Sequence, residues 1–188
     1  MRTGTLSKQD ILKVSRRLIR QQGWPAITVR SVAAACGVSV GSIYNYFDSK
    51  AALVEETVES VWHEIFHRSP DERKFQDTQA CVIWLYERMA LGSRQYPDFF
   101  TLHSSGLTQD QKAEGKRRMQ QTWQHILKEL ALVLKRDEKI RPEALTAPLS
   151  AESFADILFS LMLSALLRQD FDPSPVLEII RRTLYDGS

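Results

Sequence analysis

Two short stretches of this 188-residue chain carry side chains whose types and spacing could do chemistry. The first is Ser39-Val40-Gly41-Ser42-Ile43-Tyr44-Asn45-Tyr46-Phe47, followed by Asp48-Ser49-Lys50. At helical spacing it gathers hydroxyls and an amide on one surface, with an ammonium just beyond. Such a surface can hydrogen-bond to base edges and phosphates from a helix slim enough for a major groove. The second stretch is His63-Glu64-Ile65-Phe66-His67, which reads H-E-x-x-H. Two imidazoles at i and i+4 can hold zinc while the glutamate activates its water, the chemistry of a zinc-dependent hydrolase. A catalytic zinc also needs a third protein ligand. No His-x-x-Gly-x-x-His continuation follows, and the chain runs into Arg68-Ser69-Pro70. His63 and His67 share a polar stripe with Glu56 and Glu59, opposite Val54, Val58, Val61 and Ile65, which is the wet face of an ordinary helix. There is no Gly-rich phosphate loop and no nucleophile elbow. The chain therefore reads as not an enzyme, with no cofactor and no metal expected.

The elements that must position the first stretch are helical. No long run alternates apolar and polar residues, and helical spacing recurs throughout. A first helix opens at Ser7, with Asp10 as its capping-box partner, carries Ile11, Val14, Leu18 and Ile19 on one face and ends at Gly23. Thr28 caps a second helix with Val29, Val32, Ala33 and Cys36 at i, i+3, i+4 and i+7. Gly37 can supply the φ > 0 of a turn, and Ser39 caps a third helix ending near Phe47. Ala33 is small enough for a close crossing that Val38 and Ile43 lock from inside, which makes residues 28–47 a helix-turn-helix. Asp48-Ser49 cap a fourth helix to about His67. Beyond a polar connector, helices are expected at 77–94, near Pro97–Ser104, from Thr108 onward, at Ser150–Gln169 and at Pro173–Tyr185.

The net charge of +2 hides an asymmetry. Residues 1–50 hold eight Lys/Arg against two acids, a net +6, and the remaining residues come to −4. A basic N-terminal quarter on an acidic body is the footprint of a polyanionic partner. With 43% hydrophobic residues and only 8 Gly and 7 Pro, a disordered or low-complexity chain is excluded. Two cysteines make no disulfide framework, the first ten residues lack the apolar core of a signal peptide, and the longest apolar stretch, residues 157–167, cannot span a bilayer. A cytoplasmic location without membrane contact is the expectation. Phe154 to Leu167 is apolar nearly all round, and a helix apolar on all sides must be covered on all sides. A second copy, with Val176, Leu177, Ile180 and Leu184 on the partnering helix, is the economical cover.

From Gly23-Trp24 through Thr28-Val29-Arg30, Cys36-Gly37-Val38-Ser39, Tyr44-Asn45-Tyr46-Phe47 and Lys50 to Leu53, the segment resembles the DNA-binding part of the tetracycline-repressor (TetR) family. The resemblance covers roughly residues 7–55. It implies an all-α homodimer of about nine helices: a three-helix DNA-binding domain with the helix-turn-helix, residues 1–50, then a helical ligand-binding and dimerisation domain, residues 51–188. It implies operator-DNA contacts by Thr28, Arg30, Ser39, Val40, Gly41, Ser42, Tyr44, Asn45, Tyr46 and Lys50. Where members frequently carry a basic or polar residue this chain has Val40, which means either apolar readout of a thymine methyl or one fewer phosphate contact. The resemblance further implies double-stranded operator DNA as partner, dimerisation through the two C-terminal helices, and an unidentified small-molecule effector. The aromatic middle offers Trp84, Phe99, His103, Met119 and Trp123 for that effector. A dimeric, ligand-responsive repressor is the reading; its rivals are the zinc hydrolase above and a helical ligand carrier.

Overall fold

Capping chemistry sets the helix boundaries in the computed structural model, which describes residues 6–66, 75–97 and 109–186, the side chains of 109–122 excepted. α1 spans Lys8–Gln22. The Ser7 hydroxyl accepts from the Asp10 amide at 3.1 Å while the Asp10 carboxylate takes the Ser7 amide at 3.1 Å. Gly23 ends the helix at φ 77°, its N–H reaching the Ile19 carbonyl at 2.8 Å. After a 3₁₀ turn at Trp24–Ala26 come α2 (Val29–Cys36), α3 (Val40–Tyr44) and α4 (Lys50–Phe66). α5 is Thr78–Gln95, α6 Gln109–Arg136, α7 Ala151–Arg168 and α8 Ser174–Ile180, which continues into a π-helical turn at Arg181–Tyr185. Among the described residues there are eight α-helices and no strand, so the chain is all-α as expected. The helix expected near Pro97–Ser104 and the cap at Thr108 lie outside the described residues.

α3 is shorter than its periodicity suggests. The amides of Tyr46 and Phe47 both turn back to the Ile43 carbonyl, at 3.0 and 3.2 Å, while Phe47 is buried. Driving Phe47 into the core bends the backbone out of the helix after Tyr44.

The chain divides into two compact units, Met1–Glu64 with Arg94–Met119 and Ile65–Ser93 with Gln120–Ser188. In the first, Ile11, Ile19, Val32, Ile43, Phe47 and Leu53 form the core. A ladder of ion pairs joins α1 to α4: Lys8 to Glu56 at 2.7 Å, Arg16 to Glu64 at 2.5 Å, and Arg20 to the same Glu64. Ascending numbers on both sides mean that the two helices run in the same direction. The Lys8 ammonium also lies 5.1 Å from the Phe47 ring centre.

In the second unit, Val82, Leu85 and Met89 of α5 belong to a core with Leu130, Leu134, Phe154, Leu158 and Ile180. α4 contributes its last turn. Ile65 lies so close to Gly92 that an added Cβ there would meet Ile65 Cδ1 at 2.8 Å, and Arg88 Nε donates to the Ile65 carbonyl. Asp137, just past α6, is buried and accepts from the Thr78 amide at 2.7 Å, the Tyr185 hydroxyl at 2.6 Å and the Lys139 amide at 3.0 Å. It thereby ties the start of α5 to the π-helical turn. α7 is buried on one side only in the single chain: Ile157 and Leu167 stay exposed, as does Ile179 of α8. Among the described residues no helix is long and apolar enough to cross a membrane.

Burial alone would raise the Asp137 carboxyl, but the Tyr185 hydroxyl and the Thr78 and Lys139 amides hold it below the usual carboxylate range. A depressed folded value stabilises the protein above the unfolded value, and that contribution is lost as pH falls through the folded one. Asp137→Ala is expected to cost about 1–3 kcal/mol at neutral pH, since it strands a buried hydroxyl and amide. Urea denaturation at several pH values checks both parts: wild type should lose its advantage over the variant as the solution is acidified.

Candidate nucleic-acid interface

The helix-turn-helix is assembled from small local bonds. Thr28 Oγ1 accepts from the Ser31 amide at 3.0 Å and Ser31 Oγ accepts from the Thr28 amide at 3.0 Å, a reciprocal cap that opens α2. Ser31 also donates to the Ala26 carbonyl at 2.5 Å, anchoring the cap to the preceding 3₁₀ turn. α2 ends at Gly37, in the left-handed region at φ 71°, ψ 31°, with the Val38 amide bonded to the Ala33 carbonyl at 3.0 Å. Ala33 and Ile43 are buried at the crossing, while Val38 is only half-buried. Ser39 caps α3 through its hydroxyl, which accepts from the Ser42 amide at 3.2 Å.

What this leaves outward is a continuous surface. Ser39, Val40, Gly41, Tyr44 and Asn45 are exposed, with Ser42 half-buried. Tyr46 is half-buried and its hydroxyl donates to the Leu6 carbonyl, so it braces the end of α3 against the approach to α1. Thr28 is half-buried at the start of α2, and Arg30 is exposed in its first turn. Lys50 is exposed as the first residue of α4, where Ser49 Oγ accepts the Ala52 amide at 3.0 Å. Cap, ammonium and free helix amides converge there as an anion site would require.

Charge in this unit divides in two. Lys8, Arg16 and Arg20 are held by Glu56 and Glu64. Among the described residues, Lys13, Arg17, Arg30 and Lys50 have no ion pair within the chain. The charge available to a polyanion is therefore smaller than the N-terminal +6.

Nothing local in the sequence marks the hub behind this surface. Tyr96 is fully buried, its hydroxyl accepting from Arg20 at 2.6 Å and donating to Glu64 at 3.0 Å, while the Arg20 guanidinium lies 4.9 Å from its ring centre. Burial pushes the phenol up; the Arg20 hydrogen bond works against that and Glu64 adds to it. The only advance signal is a pair of arginines at i and i+4, Arg16 and Arg20, on an otherwise amphipathic helix. The same hub bears on the H-E-x-x-H stretch. Glu64, which a zinc site would need as its base, is committed to two arginines and a phenol. His63 is exposed, His67 lies outside the described residues, and among those described no three His, Cys, Asp or Glu side chains gather as a metal site.

The aromatic candidates are partly placed. Trp84 stands edge-on to Phe66 and Phe75, with centroids 6.5 and 5.7 Å apart. Trp123 meets Phe159 at 5.5 Å, and its indole N–H is buried with no acceptor among the described residues. Phe99 and His103 lie outside the described residues, as does the side chain of Met119. Cys36 and Cys81 are free thiols. Cys36 is half-buried rather than buried, and burial pushes it up.

Comparison with known proteins places these elements. The model for bacterial regulatory proteins of the tetR family matches residues 11–57, the helix-turn-helix with most of α1 and the start of α4. Over 59 residues, 31% of this chain, the sequence is 34% identical to the HTH-type transcriptional repressor KstR2 of Rhodococcus jostii. That stretch spans 29% of the length of KstR2. The fold is similar over nearly the whole chain to reduced NemR of E. coli, with TM-score 0.66, 18% identity, and 94% of this chain and 97% of that one covered. It is also similar to AibR in complex with isovaleryl coenzyme A and operator DNA, with TM-score 0.52, 17% identity, and 88% and 87% covered.

The turn between α2 and α3 gives a clean test of the frame. A Cβ on Gly37 would meet nothing within 4 Å, so Gly37→Ala adds only backbone strain. The left-handed conformation should cost about 1–2 kcal/mol with alanine, and less with asparagine. Thermal melts of both variants measure the difference.

Proposed function

We propose that the chain is a transcriptional regulator of the tetR type: a cytoplasmic, ligand-responsive repressor that binds a palindromic operator as a homodimer, a reading supported by the tetR-family match over residues 11–57. The observation that carries this reading is the outward face of α3. A helix-turn-helix held by its own caps presents Val40, Gly41, Tyr44 and Asn45 to solvent, flanked by the exposed cations Arg30 and Lys50. Thr28, Ser39, Ser42 and Tyr46 complete the contact set by position. Arg30 and Lys50 meet phosphates, and the face of α3 meets base edges.

Exposed apolar side chains on α7 and α8 support dimerisation. Ile157, Leu167 and Ile179 are 43%, 64% and 42% exposed in the single chain, side chains that water disfavours and a second copy covers. Two-fold pairing brings two copies of α3 into successive major grooves, about 34–36 Å apart. The effector is an apolar or aromatic molecule held near Trp84 and Trp123. Binding one conformation in preference to another is how such a ligand lowers operator affinity. The AibR complex with an acyl-coenzyme A and operator DNA supports the combination, as a property of that protein.

Selection from a random duplex pool, followed by titrations at several salt concentrations, tests the central statement. Lys50→Ala should weaken all duplexes about equally and reduce the log–log salt slope by about one unit per chain. Asn45→Ala should instead cost roughly 1–3 kcal/mol on the selected site, relax preference at one position per half-site and leave the slope alone. Uniform loss for Asn45→Ala across single-base variants of the site would remove its base-reading role.

Leu161, half-buried between the exposed Ile157 and Leu167 on α7, provides the test of assembly. A carboxylate there, in Leu161→Glu, should convert the protein to monomers in sedimentation and abolish operator binding, since an unpaired buried charge costs several kcal/mol. Circular dichroism should show α1–α4 retained. A dimeric Leu161→Glu would move the interface elsewhere.

A further inference from the structure

We propose that α3 is a reader of A·T base pairs, in which Val40 and the Tyr44 ring pack on thymine 5-methyl groups while Asn45 addresses adenine, so that each operator half-site has an A·T-rich, methyl-dependent core. This rests on the DNA-binding reading and names the ligand chemistry that it takes. Each base offers a different group in the major groove, and side chains answer in kind. Guanine is met by Arg or Lys, and the cytosine amino group by Asp or Glu. Residues 39–47 contain none of these four.

The structure narrows what remains. The Ser39 and Ser42 hydroxyls lie 2.9 Å apart and serve the cap of the helix. The Tyr46 hydroxyl donates its hydrogen bond to the Leu6 carbonyl. Exposed, and outside these hydrogen bonds, are Val40, Gly41, Tyr44 and Asn45. Val40 is 39% exposed and Tyr44 49%, and no other large apolar side chain among the described residues of this unit is exposed. They stand at i and i+4, one above the other on a single helix face. Gly41 beside Val40 adds no side chain, so the backbone can approach closely at that level. In a unit that otherwise buries its large apolar groups, two on the reading face call for an apolar complement. The thymine methyl is the apolar group that base edges display in the major groove. The asparagine amide donates and accepts at once, which matches adenine N7 and N6. Val40, Tyr44 and Asn45 thus address the two halves of one kind of pair. Arg30, the exposed cation of the motif's other helix, stands outside α3 and does not alter its vocabulary.

The test uses the full chain and duplexes enriched from a random pool. Each thymine of the enriched half-site is replaced in turn by deoxyuridine, which keeps base pairing and removes only the methyl. Wild type should lose about threefold to fivefold in affinity at one or two thymines per half-site. Val40→Ala, an exposed change whose melt should match wild type, should bind the intact site more weakly and show no further loss at one of those thymines. An enriched core of G·C pairs, deoxyuridine tolerated at every position, or methyl losses identical in wild type and Val40→Ala would each overturn the proposal. Failure to enrich any duplex would instead overturn the DNA-binding reading itself.

Discussion

A phenol with no exposure to solvent has to be satisfied by the protein, and Tyr96 is such a phenol. Its hydroxyl accepts a hydrogen bond from Arg20 and donates one to Glu64, and Glu64 also pairs with Arg16. Half-exposed ion pairs alone contribute about 0–1 kcal/mol. Leaving a buried hydroxyl without partners costs about 1–3 kcal/mol. The phenol therefore decides the arrangement, and the arginines follow it. With Arg16 and Arg20 turned toward α4, α1 and α4 are locked side by side in one register. α2 and α3 then pack on that frame with their caps intact and the face of α3 free.

How far this was legible in the sequence depends on how far apart the partners lie along the chain. Ser7 with Asp10, Thr28 with Ser31, Ser39 with Ser42 and Ser150 with Ser153 are neighbours, so capping could be read directly and the helix starts came out within a residue or two. Gly23 and Gly37 end their helices at positive φ as their type suggests. The end of α3 was misjudged because the burial of Phe47, a tertiary event, cuts the helical pattern short. Tyr96 has partners 76 and 32 residues away, and no local rule points to them. Asp137 meets Thr78 across 59 residues, which no local pattern announces. The outward surface of α3 is legible because it is local; the hub behind it is not, because it is long-range.

Glu64 and Ile65 are consecutive residues of α4 with different obligations. Glu64 is held by α1 and Tyr96; Ile65 is packed against Gly92 and bonded through its carbonyl to Arg88. One step along a helix is a rise of 1.5 Å and a turn of about 100°. The missing side chain at Gly92 lets the aliphatic side chain of Ile65 lie against the α5 backbone, so this end of α4 has little freedom to slide on α5.

The pairing of Lys8, Arg16 and Arg20 inside the protein has a consequence at the scale of a chromosome. Attraction to arbitrary duplex is almost wholly a matter of cations facing phosphates. Three of the N-terminal cations face glutamates instead, and α3 itself bears none. For the operator-binding repressor proposed above, a genome would present ~10⁶–10⁹ competing sequences, and copies stalled on them would be unavailable to an operator. Muting that background would leave a larger share of the molecules free to search, so that a small population could keep an operator occupied.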